Sequence, residues 1–220
     1  MKPSTAILIP SFNSNLKLSA LISEIREYAS EPIIIIDDGS KVPIAIEGKG
    51  VEVIRNDFNM GKGFSLRRGF DFARKIGYSH VVTMDSDHQH APSELPLFLG
   101  TNLSNDFVLG YREKDQAMPL HRKFSNGVTS WIISKIIKLN VYDSQCGFRR
   151  YSLESLRGID FFENGFQFES EVLIKVIKAD TAVEQVKIST IYDKNNKSYI
   201  KHVSDTVKFI RLILRSLVGK

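Results

Sequence analysis

Val81-Val82-Thr83-Met84-Asp85-Ser86-Asp87-His88-Gln89 begins as a short apolar run and ends abruptly in two carboxylates one residue apart. The apolar start predicts a buried strand, and the acids fall where that strand gives way to a loop. In open α/β sheets the carboxyl edge is where ligands bind. Two hard oxygen donors at such an edge suit Mg²⁺ or Mn²⁺ holding a diphosphate better than they suit zinc. An Asp-x-Asp also occurs as an ordinary solvated turn, so its meaning depends on the rest of the chain.

Moving outward, Thr5 to Ile9 is a β-rich run closed by Pro10, and Leu18, Leu21, Ile22 and Ile25 then follow helical spacing. Ile33 to Ile36 is entirely β-branched, as expected of a strand buried on both faces. Val51 to Ile54 predicts a third strand, and Gly63 to Lys75 a helix with Leu66, Phe70 and Ala73 inward. Strands alternating with helices imply parallel pairing and an α/β class. Asp37 and Asp38 end one of these strands as Asp85 and Asp87 end another, so both acidic pairs are expected on one edge of the sheet. Between them, Gly61 and Gly63 allow close backbone approach and Lys62 is placed to meet a phosphate. The spacing is neither that of a P-loop nor that of a dinucleotide fold.

Composition narrows the class. With 220 residues, 42% of them hydrophobic, the chain is long enough for a sizeable core and one domain is the default. The single cysteine, Cys146, excludes a disulfide framework and fits a reducing compartment. No run approaches the roughly 18 apolar residues of a membrane-spanning helix, and Ala6 to Ile9 is too short for a signal peptide. The expectation is a cytoplasmic protein. The net charge of +5 is consistent with an acidic ligand or an anionic membrane surface.

Taken together, Ile9-Pro10-Ser11-Phe12-Asn13, Ile36-Asp37-Asp38-Gly39-Ser40, Asn59-x-Gly61-Lys62-Gly63 and Asp85-Ser86-Asp87-His88-Gln89 resemble, in order, the motifs of family 2 glycosyltransferases with the GT-A fold. Gly110-Tyr111-Arg112, the stretch from Asp143 to Arg149, and Phe166-Gln167-Phe168-Glu169 resemble the branch of dolichyl- and polyprenyl-phosphate sugar transferases. The resemblance covers nearly the whole chain. It implies a Rossmann-like, mostly parallel sheet flanked by helices, within one domain spanning 1–220. Residues 1–112 would hold the donor, 113–200 the acceptor, and 201–220 would form an amphipathic C-terminal helix.

The resemblance also implies roles. Pro10 and Phe12 would flank the base of a nucleotide sugar and Asp38 would hydrogen-bond it, with Asp37, Lys62 and Ser86 part of the same site. Asp85 would approach the ribose or a metal, and Asp87 and Gln89 would ligate the Mg²⁺ or Mn²⁺ bridging the diphosphate. Phe12 stands where the family usually has Tyr, and Ser14 where it has Glu, which leaves UDP and GDP both open.

In the second half, Arg112 and Arg122 are candidates to clamp an acceptor phosphate, since a guanidinium fork matches phosphate oxygens. With Asp87 they form the expected catalytic set, and Lys197 would join them on the acceptor phosphate. Arg150 reads as a solvated surface residue. Asp143 and Glu169 are either general bases for an alcohol acceptor or structural acids paired with Arg149 or a neighbour. His88 and His90 lack the further ligands that zinc requires. Phe161, Phe162, Phe166 and Phe168 form either core or a groove for an isoprenoid chain.

In the last helix, Val203, Val207, Ile210, Leu214 and Leu217 form an apolar stripe beside Lys201, Lys208, Arg211 and Arg215. The stripe either packs on the sheet or lies on a membrane surface without spanning it. The leading reading is therefore a metal-dependent, inverting hexosyltransferase from a nucleotide sugar to a lipid phosphate, peripheral on the cytoplasmic membrane face. Its rivals are a family 2 transferase with a saccharide or protein acceptor, a sugar nucleotidyltransferase, and a basic module for membranes or RNA. Nucleic acid is disfavoured because the acidic pairs would repel its phosphates and no RNP-like aromatic motif is present. The sequence leaves the oligomeric state undefined.

Overall fold

The computed structural model describes residues 4–112, 120–177, 181–189 and 202–218, with every side chain among them except those at 16, 120–122, 202–204 and 217–218. The first half runs β1 (Thr5–Ser11), α1 (Asn15–Tyr28), β2 (Ile33–Asp37), β3 (Val51–Arg55), α2 (Lys62–Lys75) and β4 (His80–Thr83). The second half runs α3 (Leu95–Leu99), β5 (Phe107–Arg112), α4 (Leu120–Ile137), β6 (Arg149–Ser152), α5 (Phe168–Val176), β7 (Val183–Ile188) and α6 (His202–Val218).

The strands form one seven-stranded sheet in the order β3-β2-β1-β4-β6-β5-β7. β1 to β4 pair in parallel, β5 pairs in parallel with β7, and β6 runs antiparallel between β4 and β5. Alternate residues of β1 and β2 feed two cores. Ala6, Leu8, Ile34 and Ile36 meet the α2 and α5 residues Leu66, Phe70, Phe168 and Val172. Ile7, Ile9, Ile33 and Ile35 meet the α1 residues Leu18, Leu21 and Ile25 on the other face. Burying each such side chain contributes about 1.5–3 kcal/mol, so an all-isoleucine strand with helices on both sides is strongly specified.

β1 does not stop at Pro10 as expected but continues to Ser11. Pairing with β4 ends at Leu8, where the Leu8 carbonyl accepts from the Met84 N–H. The missing N–H of Pro10 faces that finished side, so the ring costs no ladder bond. On the other side the β1–β2 register runs on to Ser11 and Asp37.

The central antiparallel strand, β6, corrects the expectation for Arg150. Both Arg149 and Arg150 are fully buried. Arg150 donates from Nη1 to the Phe98 and Thr101 carbonyls, at 3.1 and 3.0 Å, and from Nη2 to the Asn102 carbonyl, at 2.5 Å. It thereby satisfies carbonyl groups at the end of α3, where a cation also suits the helix dipole. Arg149 donates to the Cys146, Glu169 and Ser144 carbonyls at 2.7, 3.0 and 2.7 Å. Neither arginine is a surface charge.

Candidate active site

The carboxyl ends of β1, β2 and β4 lie on one edge, and three segments converge on it beside β4. Asp85 follows β4 by two residues, Lys62 is the first residue of α2, and Glu169 lies in the first turn of α5. Lys62 Nζ is 2.6 Å from Asp85 Oδ1 and 3.2 Å from Glu169 Oε1. Gly61, at φ 99°, takes a turn that disfavours side chains and brings α2 against the Asn164 carbonyl, which accepts the Gly63 N–H at 2.7 Å. Burial alone would lower the Lys62 ammonium, but Asp85 and Glu169 overcome this and hold it well above its usual range.

The two acids of the Asp-x-Asp are shifted in opposite directions. Burial would raise the Asp85 carboxyl, yet Lys62 and His90 hold it well below the usual carboxylate range. Burial and the neighbouring Asp85 charge push Asp87 above that range. Asp87 accepts the Gln89 backbone N–H at 3.1 Å and the Gln89 side-chain amide at 2.6 Å. Asp85, Asp87 and Gln89 thus share one short loop.

The two histidines separate. His88 adopts φ 60°, uncommon for a residue with a side chain, and its Nε2 bonds the Lys17 carbonyl at 2.7 Å, away from the acids. That turn sends His90 back under the loop, where it is buried against Phe148 with Nε2 3.5 Å from Asp85 Oδ2. In the sequence His90 stands out only as a possible zinc ligand; its contact with Asp85 depends on the left-handed turn at His88, which the local residues do not announce.

The other acidic pair is engaged within the fold. Asp37 is fully buried, accepts the Ser40 and Ile44 N–H groups at 2.9 and 3.2 Å, and is ion-paired with Arg55. Burial would raise its carboxyl, but these hydrogen bonds hold it below the usual range. Asp38 accepts from Asn56 at 2.7 Å and from the Met60 and Gly61 N–H groups, both at 2.9 Å. Its carboxylate shapes the turn that delivers Lys62. Pro10 and Ser86 are buried at the same edge, and Phe12 is half-buried beside them in sequence order.

At the end of β5, Arg112 forms a bidentate pair with Asp143, Nε to Oδ2 at 2.7 Å and Nη2 to Oδ1 at 3.1 Å. Asp143 is buried; burial would raise its carboxyl, but Arg112 holds it low. Its partner is therefore Arg112 and not Arg149. Glu169 is tied to Lys62. Neither acid is placed as a general base. Arg122 lies in α4 with its side chain outside the described residues, as does the whole of Lys197.

The phenylalanines divide: Phe168 is core and Phe161 packs against it, while Phe162 and Phe166 are exposed. Likewise Phe209 and Leu212 of α6 pack on the body, but Val207, Ile210 and Leu214 are 60%, 52% and 58% exposed. Of the apolar stripe expected to bind either the sheet or a membrane, these three residues do not pack on the sheet, and the side chains of Val203 and Leu217 lie outside the described residues. A cavity of about 1340 Å³ lies not over the acids but between α4, α5 and α6, lined in part by Ile136, Phe162, Ile174, Arg211, Leu212 and Arg215.

Among the described residues no cluster of three or more His, Cys, Asp and Glu side chains forms a metal cage. A pair of carboxylates with an amide beside them still fits Mg²⁺ or Mn²⁺. Mg²⁺ characteristically uses one or two protein carboxylates and completes its shell with substrate phosphates and water. No helix among the described residues is long and apolar enough to cross a membrane.

Known proteins resemble this chain in sequence and in fold. The chain is 27% identical to the UDP-N-acetylglucosamine–dolichyl-phosphate N-acetylglucosaminyltransferase of Methanococcus voltae, over 97% of this chain and 96% of that protein. It is 25% identical to the undecaprenyl-phosphate mannosyltransferase of Micrococcus luteus, over 84% and 82% of the two chains. The glucosyl-3-phosphoglycerate synthase of Mycobacterium tuberculosis, solved with UDP, superposes with a TM-score of 0.76 at 18% identity, covering 98% of this chain and 80% of that one. This likeness shows the GT-A fold. The model of glycosyl transferase family 2 matches residues 6–157, with β4 and its Asp-x-Asp inside the match. The chain belongs to glycosyl transferase family 2 and is a hexosyltransferase of the GT-A fold.

Proposed function

We propose that this enzyme moves a hexose from a nucleotide sugar to a polyprenyl or dolichyl phosphate, with inversion at the anomeric carbon. The observation that carries the acceptor class is the state of Asp143 and Glu169. A sugar or protein hydroxyl needs a base to take its proton, whereas a phosphate is already ionised at neutral pH. Both acids weighed for that task are committed to cations, Asp143 to Arg112 and Glu169 to Lys62. The relatives named for dolichyl and undecaprenyl phosphate support the same acceptor.

Asp85, Asp87 and Gln89 would hold Mg²⁺ or Mn²⁺, which when bound neutralises charge building on the departing diphosphate. Pro10, Phe12 and Ser86 line the sheet edge where the nucleotide would lie. Asp38 serves that site by holding the Met60–Gly61 turn. Arg112, with its orientation set by Asp143, and Arg122 and Lys197 are assigned to the acceptor phosphate. The phosphate oxygen attacks the anomeric carbon as the bond to the nucleoside diphosphate breaks, so no covalent enzyme intermediate forms. Positioning carries the rest of the catalysis.

The exposed stripe of α6, with Lys208, Arg211 and Arg215 on the same helix, would rest on the cytoplasmic face of a membrane that holds the acceptor. Basic residues at an anionic surface contribute about 1 kcal/mol each, enough for reversible attachment.

The test is a panel of UDP- and GDP-linked hexoses with Mn²⁺ or Mg²⁺, with and without short polyprenyl phosphates. Turnover is expected only with both the cation and the lipid phosphate. Undiminished turnover in excess chelator would overturn the metal role, and preference for a saccharide hydroxyl would overturn the acceptor. Sedimentation with anionic vesicles at low salt, weakened by replacing Lys208, Arg211 and Arg215 with Gln, tests the membrane contact. Equal partitioning of the two proteins would remove it.

A further inference from the structure

Glu169 is a charged member of the cluster that the chemistry above leaves without a task. It is 4% exposed, and apart from the Lys62 ammonium its Oε1 has no hydrogen-bond partner. A buried carboxylate is costly unless paired, so its placement needs a reason. Its backbone is held independently of its side chain: the Glu169 carbonyl accepts from the fully buried Arg149. Arg149 in turn holds the Ser144 and Cys146 carbonyls, just before Gly147.

Gly147 completes the frame. Thr83 Oγ1 donates to its carbonyl at 2.7 Å, fixing it against the end of β4. A Cβ there would lie 2.7 Å from Asp85 Oδ2, 2.8 Å from Lys62 Nζ and 3.0 Å from Glu169 Oε1. Three charged groups close around one methyl-sized space that glycine keeps open. The Lys62 ammonium is thereby shared between an acid of the Asp-x-Asp and an acid behind it.

We propose that Lys62 is a built-in counter-ion that competes with the divalent cation for Asp85, and that Glu169 is a positioning residue that weakens this competition by drawing the ammonium partly toward itself. The inference rests on the metal-assisted reading given above. A positive charge 2.6 Å from Asp85 Oδ1 lowers the attraction of that carboxylate for a dication. Lysine suits the role because its ammonium is a mobile point charge on a flexible stem. Glu169 keeps the pair from becoming exclusive.

The experiment is titration of Mn²⁺ alone into the nucleotide-free full chain, with free Mn²⁺ read by electron paramagnetic resonance. Lys62→Met is expected to tighten Mn²⁺ binding by about tenfold, because one repelling charge is gone. Glu169→Gln is expected to weaken it by about threefold or more, because the ammonium then settles on Asp85. In Lys62→Met the further change Glu169→Gln should have at most half that effect on a logarithmic scale. An equal effect in both backgrounds would make Glu169 a distant charge and overturn its positioning role. Unchanged or weaker Mn²⁺ binding by folded Lys62→Met would overturn the counter-ion. If Glu169→Gln does not fold, Glu169→Asp, which keeps the charge but draws it back from the ammonium, is expected to weaken Mn²⁺ binding, and unchanged binding would overturn the positioning role. Absence of Mn²⁺ binding in both wild type and Lys62→Met, with UDP added as well as without it, would instead remove the metal-assisted reading on which this inference stands.

Discussion

Two strands of one sheet end in acidic pairs, and the pairs have opposite fates. At the end of β2, Asp37 and Asp38 receive five hydrogen bonds from backbone N–H groups and Asn56, besides the Arg55 ion pair. At the end of β4, Asp85 is met by the Lys62 ammonium and the His90 ring, and Asp87 accepts from Gln89 of its own loop. The first pair is consumed in building the edge. The second is kept close to a like charge, a costly arrangement that suits a site made to receive a cation. Equal composition at equivalent sheet positions therefore does not imply equal function; the donors that reach each carboxylate decide.

The comparison breaks most visibly in activity. Asp87→Ala is expected to lower turnover by about a thousandfold or more, since several kcal/mol of leaving-group stabilisation would be lost. Its thermal unfolding should stay near that of wild type. Turnover close to wild type, measured with a nucleotide sugar and a short polyprenyl phosphate, would make the β4 pair as structural as the β2 pair.

Asp37→Ala should show the reverse pattern. Removing a buried, paired carboxylate strands Arg55 and two N–H groups, with an expected loss of about 2–4 kcal/mol in denaturant unfolding. Activity per folded molecule should persist. If Asp37→Ala kept full stability and lost nucleotide binding, the β2 pair would belong to the ligand site after all.

The pH dependence sharpens this. The Asp37 and Asp143 carboxyls are held below their unfolded values, so their contributions are complete above about pH 4 and vanish as pH falls through the folded values. The stability gap between wild type and Asp37→Asn should therefore be constant near neutrality and narrow in acid. A gap that widened in acid would contradict the assignment.

The smallest expected effect is also the most specific to the comparison. In chelator at neutral pH, Asp87→Asn should raise stability by a few tenths of a kcal/mol, because it removes a charge repelled by Asp85. Asp37→Asn should lower it. The same chemical change with opposite signs at the two strand ends is the signature of a functional and a structural pair, and equal signs would dissolve the distinction.

Much of the fold was legible because it rests on local pattern. Ile33 to Ile36 reads as a strand buried on both faces, and the spacing from Leu18 to Ile25 as a helix with one apolar side, and both form as such. β6 was not legible. Arg149-Arg150-Tyr151-Ser152 carries two charges in four residues, and its burial depends on carbonyls from as far away as Phe98 and Glu169. The β7 run Val183–Ile188 sits half-exposed at the sheet edge, where burial imposes a weaker pattern. The exposed stripe of α6 shows the complementary limit. Its periodicity identifies an apolar face, but periodicity carries no information about what covers that face.

The alternation of strand and helix patterns determined the α/β class, and the order and spacing of Asp37-Asp38, Lys62 and Asp85-x-Asp87 carried the family resemblance and the edge on which chemistry is expected. Strand length and hydrophobic period are short-range properties and are written directly in the chain. The tertiary structure alone decided that Asp37 and Asp38 are spent on turns and that Asp143 orients Arg112. It also decided that Glu169 shares Lys62 with Asp85. The physical reason is that the state of a carboxylate is set within a few ångströms by donors and charges brought from distant segments. Here α2, β4 and α5 meet around Gly147, a contact that no local stretch of sequence contains.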